Sequence, residues 1–141
     1  MIQTLTGIDS SASALAAERL RMEVITQNIA NANTTRGLDG KPYQRQHVIF
    51  ESALAQAQTG SDGSSHSITT ARIEQDHRPA RMVFNPGHPD ANPDGMVAMP
   101  DINIHEEMAD MIAASRAFEA NLAVVKNARS MAMQTLSIGK H

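Results

Sequence analysis

Apolar residues recur every seven positions near the start of the chain, at Ile8, Leu15, Met22 and Ile29, with Ala12 and Ile25 between them. This narrow stripe predicts a helix from about residue 5 to 32, of the kind that packs along a coiled-coil seam. The seam is imperfect, because the slot between Leu15 and Met22 falls on Glu18 and Arg19. The run Asn31-Ala32-Asn33-Thr34-Thr35-Arg36-Gly37 ends the pattern, since Asn and Gly favour helix termini. A second, stronger helical pattern runs from Asn103 to about Ile138. Met108, Met111, Phe118, Leu122, Val125, Ala132 and Leu136 form its stripe, with Ser115 and Arg129 as polar interruptions. Asn103 followed by Glu106 resembles a capping box. Glu106, Glu107 and Asp110 sit where the helix dipole favours anions, and Lys126, Arg129 and Lys140 lie toward the end that favours cations. Gly139 is placed to end this helix. Thirty-six residues at 1.5 Å each span roughly 54 Å.

Between the two helices the pattern changes. Turn dipeptides recur at Asp39-Gly40, Asp62-Gly63, Pro86-Gly87 and Asp94-Gly95. Short strand candidates lie between them at 44–51, 67–74, 81–84 and 96–99. Residues 60–65 read as a surface loop, and 53–58 as a segment too short to assign, with a helical turn as one option. The expected fold is therefore mainly α with a β-rich insert. Residues 1–36 form an N-terminal helix, 37–102 a small irregular β region, and 103–141 a C-terminal helix, the two helices packing as a coiled-coil-like pair. One intramolecular seam is thin for helices this long, so partner chains are expected to add buried surface.

Composition sharpens this picture. The chain has 141 residues, nine Met, no Cys, no Trp, and only Tyr43, Phe50, Phe84 and Phe118 as aromatics. Aromatic side chains usually dominate core burial, so this core has to come from small and flexible residues along helix seams. The net charge of −3 argues against nucleic acid as a partner. The absence of Cys excludes disulfides, thiolate metal sites and a Cys nucleophile. No apolar run reaches the ~18 residues of a membrane span, and no cleavable signal pattern opens the chain. By these rules alone the expectation is a soluble, cytoplasmic protein.

Candidate chemistry is sparse. His88, Asp90, Asp94 and His105 are the one cluster with metal-ligand character, but Pro, Asp and Gly at 85–95 are also what a tight turn series requires. The turn reading is preferred, and no metal or cofactor is expected. There is no Gly-x-Ser-x-Gly elbow, no nucleotide-binding glycine loop and no His-Glu-x-x-His helix. The Asn-rich exit of the first helix is more informative. Asn33 reads as a helix terminator. Asn28 lies a full turn inside the pattern, where Asn costs helix stability. An Asn in a helical seam can fix register, so Asn28 and Asn31 are read as hydrogen-bonding positions between chains.

Two blocks then carry a resemblance. Residues 20–35, LRMEVITQNIANANTT, and 107–121, EMADMIAASRAFEAN, with the continuation to Lys140, resemble the terminal motifs of bacterial flagellar rod and hook proteins. The short length and the turn PGHPDA followed by Asp94-Gly95 resemble the proximal-rod members of that family. The resemblance implies a structural subunit rather than an enzyme. It implies export by the flagellar type III apparatus without signal-peptide cleavage, and a place in the periplasmic rod instead of the cytoplasm. Implied partners are further copies of the chain, neighbouring proximal and distal rod proteins, and the junction with the MS ring and export gate, with no membrane insertion. The axial packing set is Leu15, Met22, Ile25, Asn28, Ile29, Asn31, Asn33, Met108, Met111, Phe118, Leu122, Val125 and Leu136. A free-standing coiled-coil adaptor and a small metal-dependent hydrolase are the rival readings.

Overall fold

The computed structural model describes residues 2–54 and 67–138. Its elements are α1 (Ile2–Ala30), β1 (Gln46–Leu54), β2 (Ser67–Gln75), β3 (Arg81–Phe84), β4 (Met96–Met99) and α2 (Ile104–Ile138). The long terminal helices pack on each other, and two separate antiparallel hairpins, β1–β2 and β3–β4, lie between them in sequence. Asn28 meets Glu107 while Arg21 meets Asp110. The helices therefore run antiparallel. The β1–β2 hairpin also packs on α1.

The start of α2 follows from its cap. Asn103 Oδ1 accepts the His105 N–H at 3.1 Å, and Asn103 C=O accepts the Glu107 N–H at 3.1 Å. One of the donors left free at a helix start is thereby satisfied. At the other junction, Asn31 N–H donates to Gln27 C=O and Thr34 N–H to Asn31 C=O, which closes α1 in a turn. Strands β3 and β4 match the sequence expectation residue for residue. Strand β1 starts later than expected and runs on to Leu54, so Ala53 and Leu54 are strand and not helical turn. They pair with Ile68 and Ser67 across the hairpin. The remainder of 53–58, the loop 60–65 and Gly139 lie outside the described residues.

The inward faces of both helices differ from the expected stripes. On α2 the packed positions are Glu107, Met111, Ala114, Phe118, Asn121 and Val125, spaced by alternating steps of four and three. Glu107 and Ala114 are fully buried, whereas Met108 and Leu136 are exposed. Met111, Phe118 and Val125 belong to both stripes. Each intervening position moves back by one residue, from 108 to 107 and from 115 to 114, which rotates the buried face around the helix. Leu122 stays half-buried at its edge. On α1 the buried residues are Ala17, Val24, Ile25 and Asn28, with Leu15, Met22 and Ile29 half-buried beside them. The side chain of Ile8 falls outside the described ones. The reason for the rotation is size and polarity. Ala17 and Ala114 carry no bulk, so placing them inside lets the helices approach closely, and a polar pair fills the junction end.

The β3–β4 hairpin is held by its turn. Asn92 Oδ1 accepts the N–H groups of Asp94 (3.0 Å) and Met96 (2.8 Å), and Asn85 N–H donates to Gly95 C=O (2.9 Å). Gly95 has φ of 74°, and a Cβ there would lie 3.0 Å from Phe84 Cε2 and 3.2 Å from Pro86 Cβ. Glycine is thus required both for conformation and for space. Val97 in β4 and Pro100 just after it are buried.

Candidate functional site

Among the described residues, a densely hydrogen-bonded group sits where α1 ends, β1 begins and α2 begins. At its centre is Asn28, 1% exposed. Its side-chain amide donates to Gln46 C=O (2.7 Å) and to Glu107 Oε2 (3.0 Å). Its Oδ1 accepts the Gln46 N–H (2.9 Å) and the Tyr43 hydroxyl (3.1 Å). An Asn side chain has two donor hydrogens and two acceptor lone pairs, and all four are used. The helix cost of Asn at this position is offset by a fully satisfied buried amide.

Glu107 is the partner on α2 and is also 1% exposed. Its other oxygen accepts from Arg45 Nε at 2.5 Å. Arg45 lies just before β1, and its second nitrogen is 3.6 Å from Asp110. Arg21 reaches the same Asp110 from α1 at 3.7 Å and Glu18 at 3.9 Å. Positive and negative groups thus alternate across the junction of three elements. A buried carboxylate is tolerated only when paired and hydrogen-bonded, and Arg45 and Asn28 supply both conditions. Burial, and then the charge of Glu107, push the Tyr43 phenol above its usual value. It therefore stays protonated and donates to Asn28.

Two further ties extend from this node. Asp76 N–H donates to Arg45 C=O (2.8 Å), and Arg78 bridges Asp76 (2.7 Å) and Asp101 (3.3 Å), linking the end of β2 to the approach to α2. The Arg78 hydrogen bond is the main reason the Asp76 carboxyl lies below the usual carboxylate range. On the other side, Thr35 Oγ1 donates to Asp90 Oδ2 (2.8 Å) and Arg36 lies 3.6 Å from Oδ1. The exit of α1 is thus fastened to the β3–β4 turn.

These contacts locate the sequence candidates. The structure brings Asn28 into the node but gives its hydrogen bonds to partners within the chain. Asn31 closes α1, with its amide on Gln27 C=O and its Oδ1 accepting from Thr34. Asn33 is exposed. Glu107, Tyr43 and Arg45 were not among the sequence candidates. For Glu107 a signal existed: it lies one heptad before Ala114, on the stripe continued by Met111 and Phe118. Tyr43 and Arg45 lie in an irregular segment whose pattern gave no such signal. The metal cluster does not form. Asp90 is engaged by Thr35 and Arg36, Asp94 and His105 are exposed, and no group of three or more potential metal ligands converges among the described residues. What the node can do is mechanical: it ties two helices and the first strand into one joint.

Comparison with known proteins gives this joint its context. Residues 8–36 match the family model described as flagella basal body rod protein, and residues 94–138 match that of the flagellar basal body rod FlgEFG protein C-terminal. The two matched segments contain Asn28 and Glu107, one on each side of the joint. The chain is 37% identical to the flagellar basal-body rod protein FlgC of Borreliella burgdorferi, over 94% of this chain and 95% of that protein. It is 38% identical to FlgC of Yersinia enterocolitica over the same shares. With FlgC of Bacillus subtilis the identity is 35%, over 94% of this chain and 96% of the relative. An antiparallel pair of long terminal helices, a small β insert and relatives matched over nearly their whole length lead to one conclusion: the chain belongs to the FlgC family of flagellar basal-body rod proteins, and is a structural subunit of the flagellar rod.

Proposed function

We propose that this subunit polymerises through its terminal helices into the proximal rod, where it surrounds the export channel and carries motor torque. The observation that supports this most directly is the outward surface of α2. Ile112, Val124, Met131, Met133, Leu136 and Ile138 are each more than half exposed. Ile112 and Val124 lie where the inward positions of α2 are already packed on α1, and Met131, Met133, Leu136 and Ile138 lie on its last turns, where every described position is exposed. A helix that is apolar on more than one side is built for more than one neighbour. A head-to-tail contact whose rotation does not close yields an open helical assembly, and load passing along it would be shared by several helix contacts.

In this reading Leu15, Met22, Ile25, Ile29, Met111, Phe118, Leu122 and Val125 hold the helix pair together. Met108 and Leu136 face neighbouring subunits. The partners are further copies of the chain, adjoining proximal and distal rod proteins, and the junction with the MS ring and export gate. The route to the periplasm is type III export without a cleaved signal peptide. No helix among the described residues is long and apolar enough to cross a membrane, in keeping with a subunit that acts as a shaft segment.

Deletion of the gene tests the reading. Cells should lose the rod and motility while keeping the export platform, and the wild-type gene should restore both. Complementation with Phe118→Asp should give export without assembly. A motile deletion strain would reject the proposal.

A further inference from the structure

The β3–β4 turn holds a titratable group that the rod assembly does not explain. The backbone of His88 is pinned on both sides: its N–H donates to Asn85 C=O (3.1 Å), and its C=O accepts the Ala91 N–H (3.0 Å). Its ring Nδ1 accepts the Asp90 N–H at 3.1 Å. A backbone amide only donates, so Nδ1 carries no proton in this arrangement. A neutral ring that accepts at Nδ1 holds its hydrogen on Nε2. Asp90, positioned in this way, is the residue that fastens the exit of α1. Its Oδ2 accepts from Thr35 (2.8 Å), and its Oδ1 faces Arg36 (3.6 Å). His88 Nδ1 lies 4.0 Å from that same Oδ2.

We propose that His88 is an acid-sensitive pin in the tie between α1 and the turn. A proton on Nδ1 removes the acceptor used by the Asp90 N–H. The same proton makes the ring a cation beside Oδ2, the oxygen held by Thr35. The charged groups facing the ring are Asp90 on its own turn and, across the joint, Arg36 on the same carboxylate. Acidification therefore breaks the Asp90 N–H bond and sets a second donor against Oδ2 beside Thr35, which loosens the α1 exit, while neutral pH keeps it fastened. The inference rests on the geometry of the turn and stands whether or not the rod reading holds.

The test is nuclear magnetic resonance of the full chain, titrated from about pH 7.5 to about pH 5, the range in which imidazole changes charge. At the upper end the His88 ring nitrogens should report the Nε2–H tautomer. The Asp90 amide signal should then move with the same midpoint as the His88 ring. Hydrogen-exchange protection at Thr34 and Gly37, whose hydrogen-bonded amides flank the tie, should fall about fivefold, the effect of losing roughly one hydrogen bond. His88→Asn keeps an acceptor for the Asp90 N–H, as Asn does in turns, but cannot titrate. In that variant the Asp90 signal and the protection should stay constant across the range. An Nδ1–H tautomer at neutral pH would overturn the proposal. So would an Asp90 amide that ignores the His88 titration, or an acid response in His88→Asn equal to that of the parent.

Discussion

Asn28 and Glu107 are 79 positions apart and meet through a 3.0 Å hydrogen bond inside the helix pair. Each is 1% exposed. The contact joins the end of α1 to the beginning of α2, and Gln46 and Tyr43 bring the approach to β1 into the same joint. The buried apolar set is small, Ala17, Val24, Ile25, Ala32, Val97 and Ala114 among the described residues. A polar joint therefore carries an unusual share of what fixes the fold.

Asn28→Ala should be strongly destabilising. It removes four hydrogen bonds and leaves Gln46 N–H and one oxygen of Glu107 without their buried partner. The expected loss is about 2–4 kcal/mol, from one or two unsatisfied buried groups. Urea unfolding of the full chain measures it. Asn28→Asp keeps the shape but places a second carboxyl against Glu107. At neutral pH it should be less stable than Asn28→Ala, and it should recover on acidification as one carboxyl takes a proton. A loss below about 0.5 kcal/mol for Asn28→Ala, the ordinary size for surface changes, would show that the joint is not holding the fold.

Arg45→Ala strands the Glu107 carboxylate in the interior. Breaking a buried pair from one side costs about 3–5 kcal/mol. Glu107→Gln in the same background removes the stranded charge and should return part of that stability. The double-mutant cycle should therefore show coupling well outside additivity. Additive effects would contradict the pairing.

The joint also shows which parts of this protein sequence patterning reaches. The long helices and the strands at 81–84 and 96–99 follow from local periodicity and turn residues, and they are where the pattern put them. The buried faces are not, because large apolar side chains such as Met108 and Leu136 weigh most in a periodicity argument. The packed helices instead put Ala17, Ala114 and the polar pair Asn28–Glu107 inside. Asn28 stood out because Asn is costly inside a helix. Glu107 was masked by a local explanation that also holds, an acidic residue in the first turn of a helix. Tyr43 and Arg45 reach Asn28 and Glu107 across 15 and 62 positions. No local rule carries that information.

Two glycines separate backbone strain from crowding. Gly40 and Gly95 both have φ of 74°. A Cβ at Gly40 would meet nothing within 4 Å, whereas at Gly95 it would press on Phe84 and Pro86. Gly40→Ala should cost about 1 kcal/mol, the penalty for a left-handed residue. Gly95→Ala should cost visibly more. Equal thermal shifts for the two would mean that Phe84 and Pro86 yield freely.

Stability should change at both ends of the pH scale for different reasons. Asp76 has a folded pKa below its ordinary 3.8. Its contribution is present above that ordinary value and is lost as pH falls through the depressed one. Asp76→Asn should remove this part of the acid sensitivity. Tyr43 has a folded pKa above its ordinary 10.0. Its contribution is present below 10.0 and is lost as pH rises through the raised value. Tyr43→Phe should flatten the alkaline limb. Urea midpoints measured across pH check both signs, and an acid limb unchanged in Asp76→Asn would remove Arg78 as the cause.

The most direct measurement concerns the outward face of α2. Ile112 and Val124 are 57% and 54% exposed, so Ile112→Asp and Val124→Asp should leave the unfolding midpoint of the isolated chain within about 0.5 kcal/mol of the parent. Basal bodies isolated from a deletion strain carrying either variant should nevertheless lack the rod, and the cells should not swim. Swimming cells with complete rods would contradict the claim that this face is where neighbouring subunits bind.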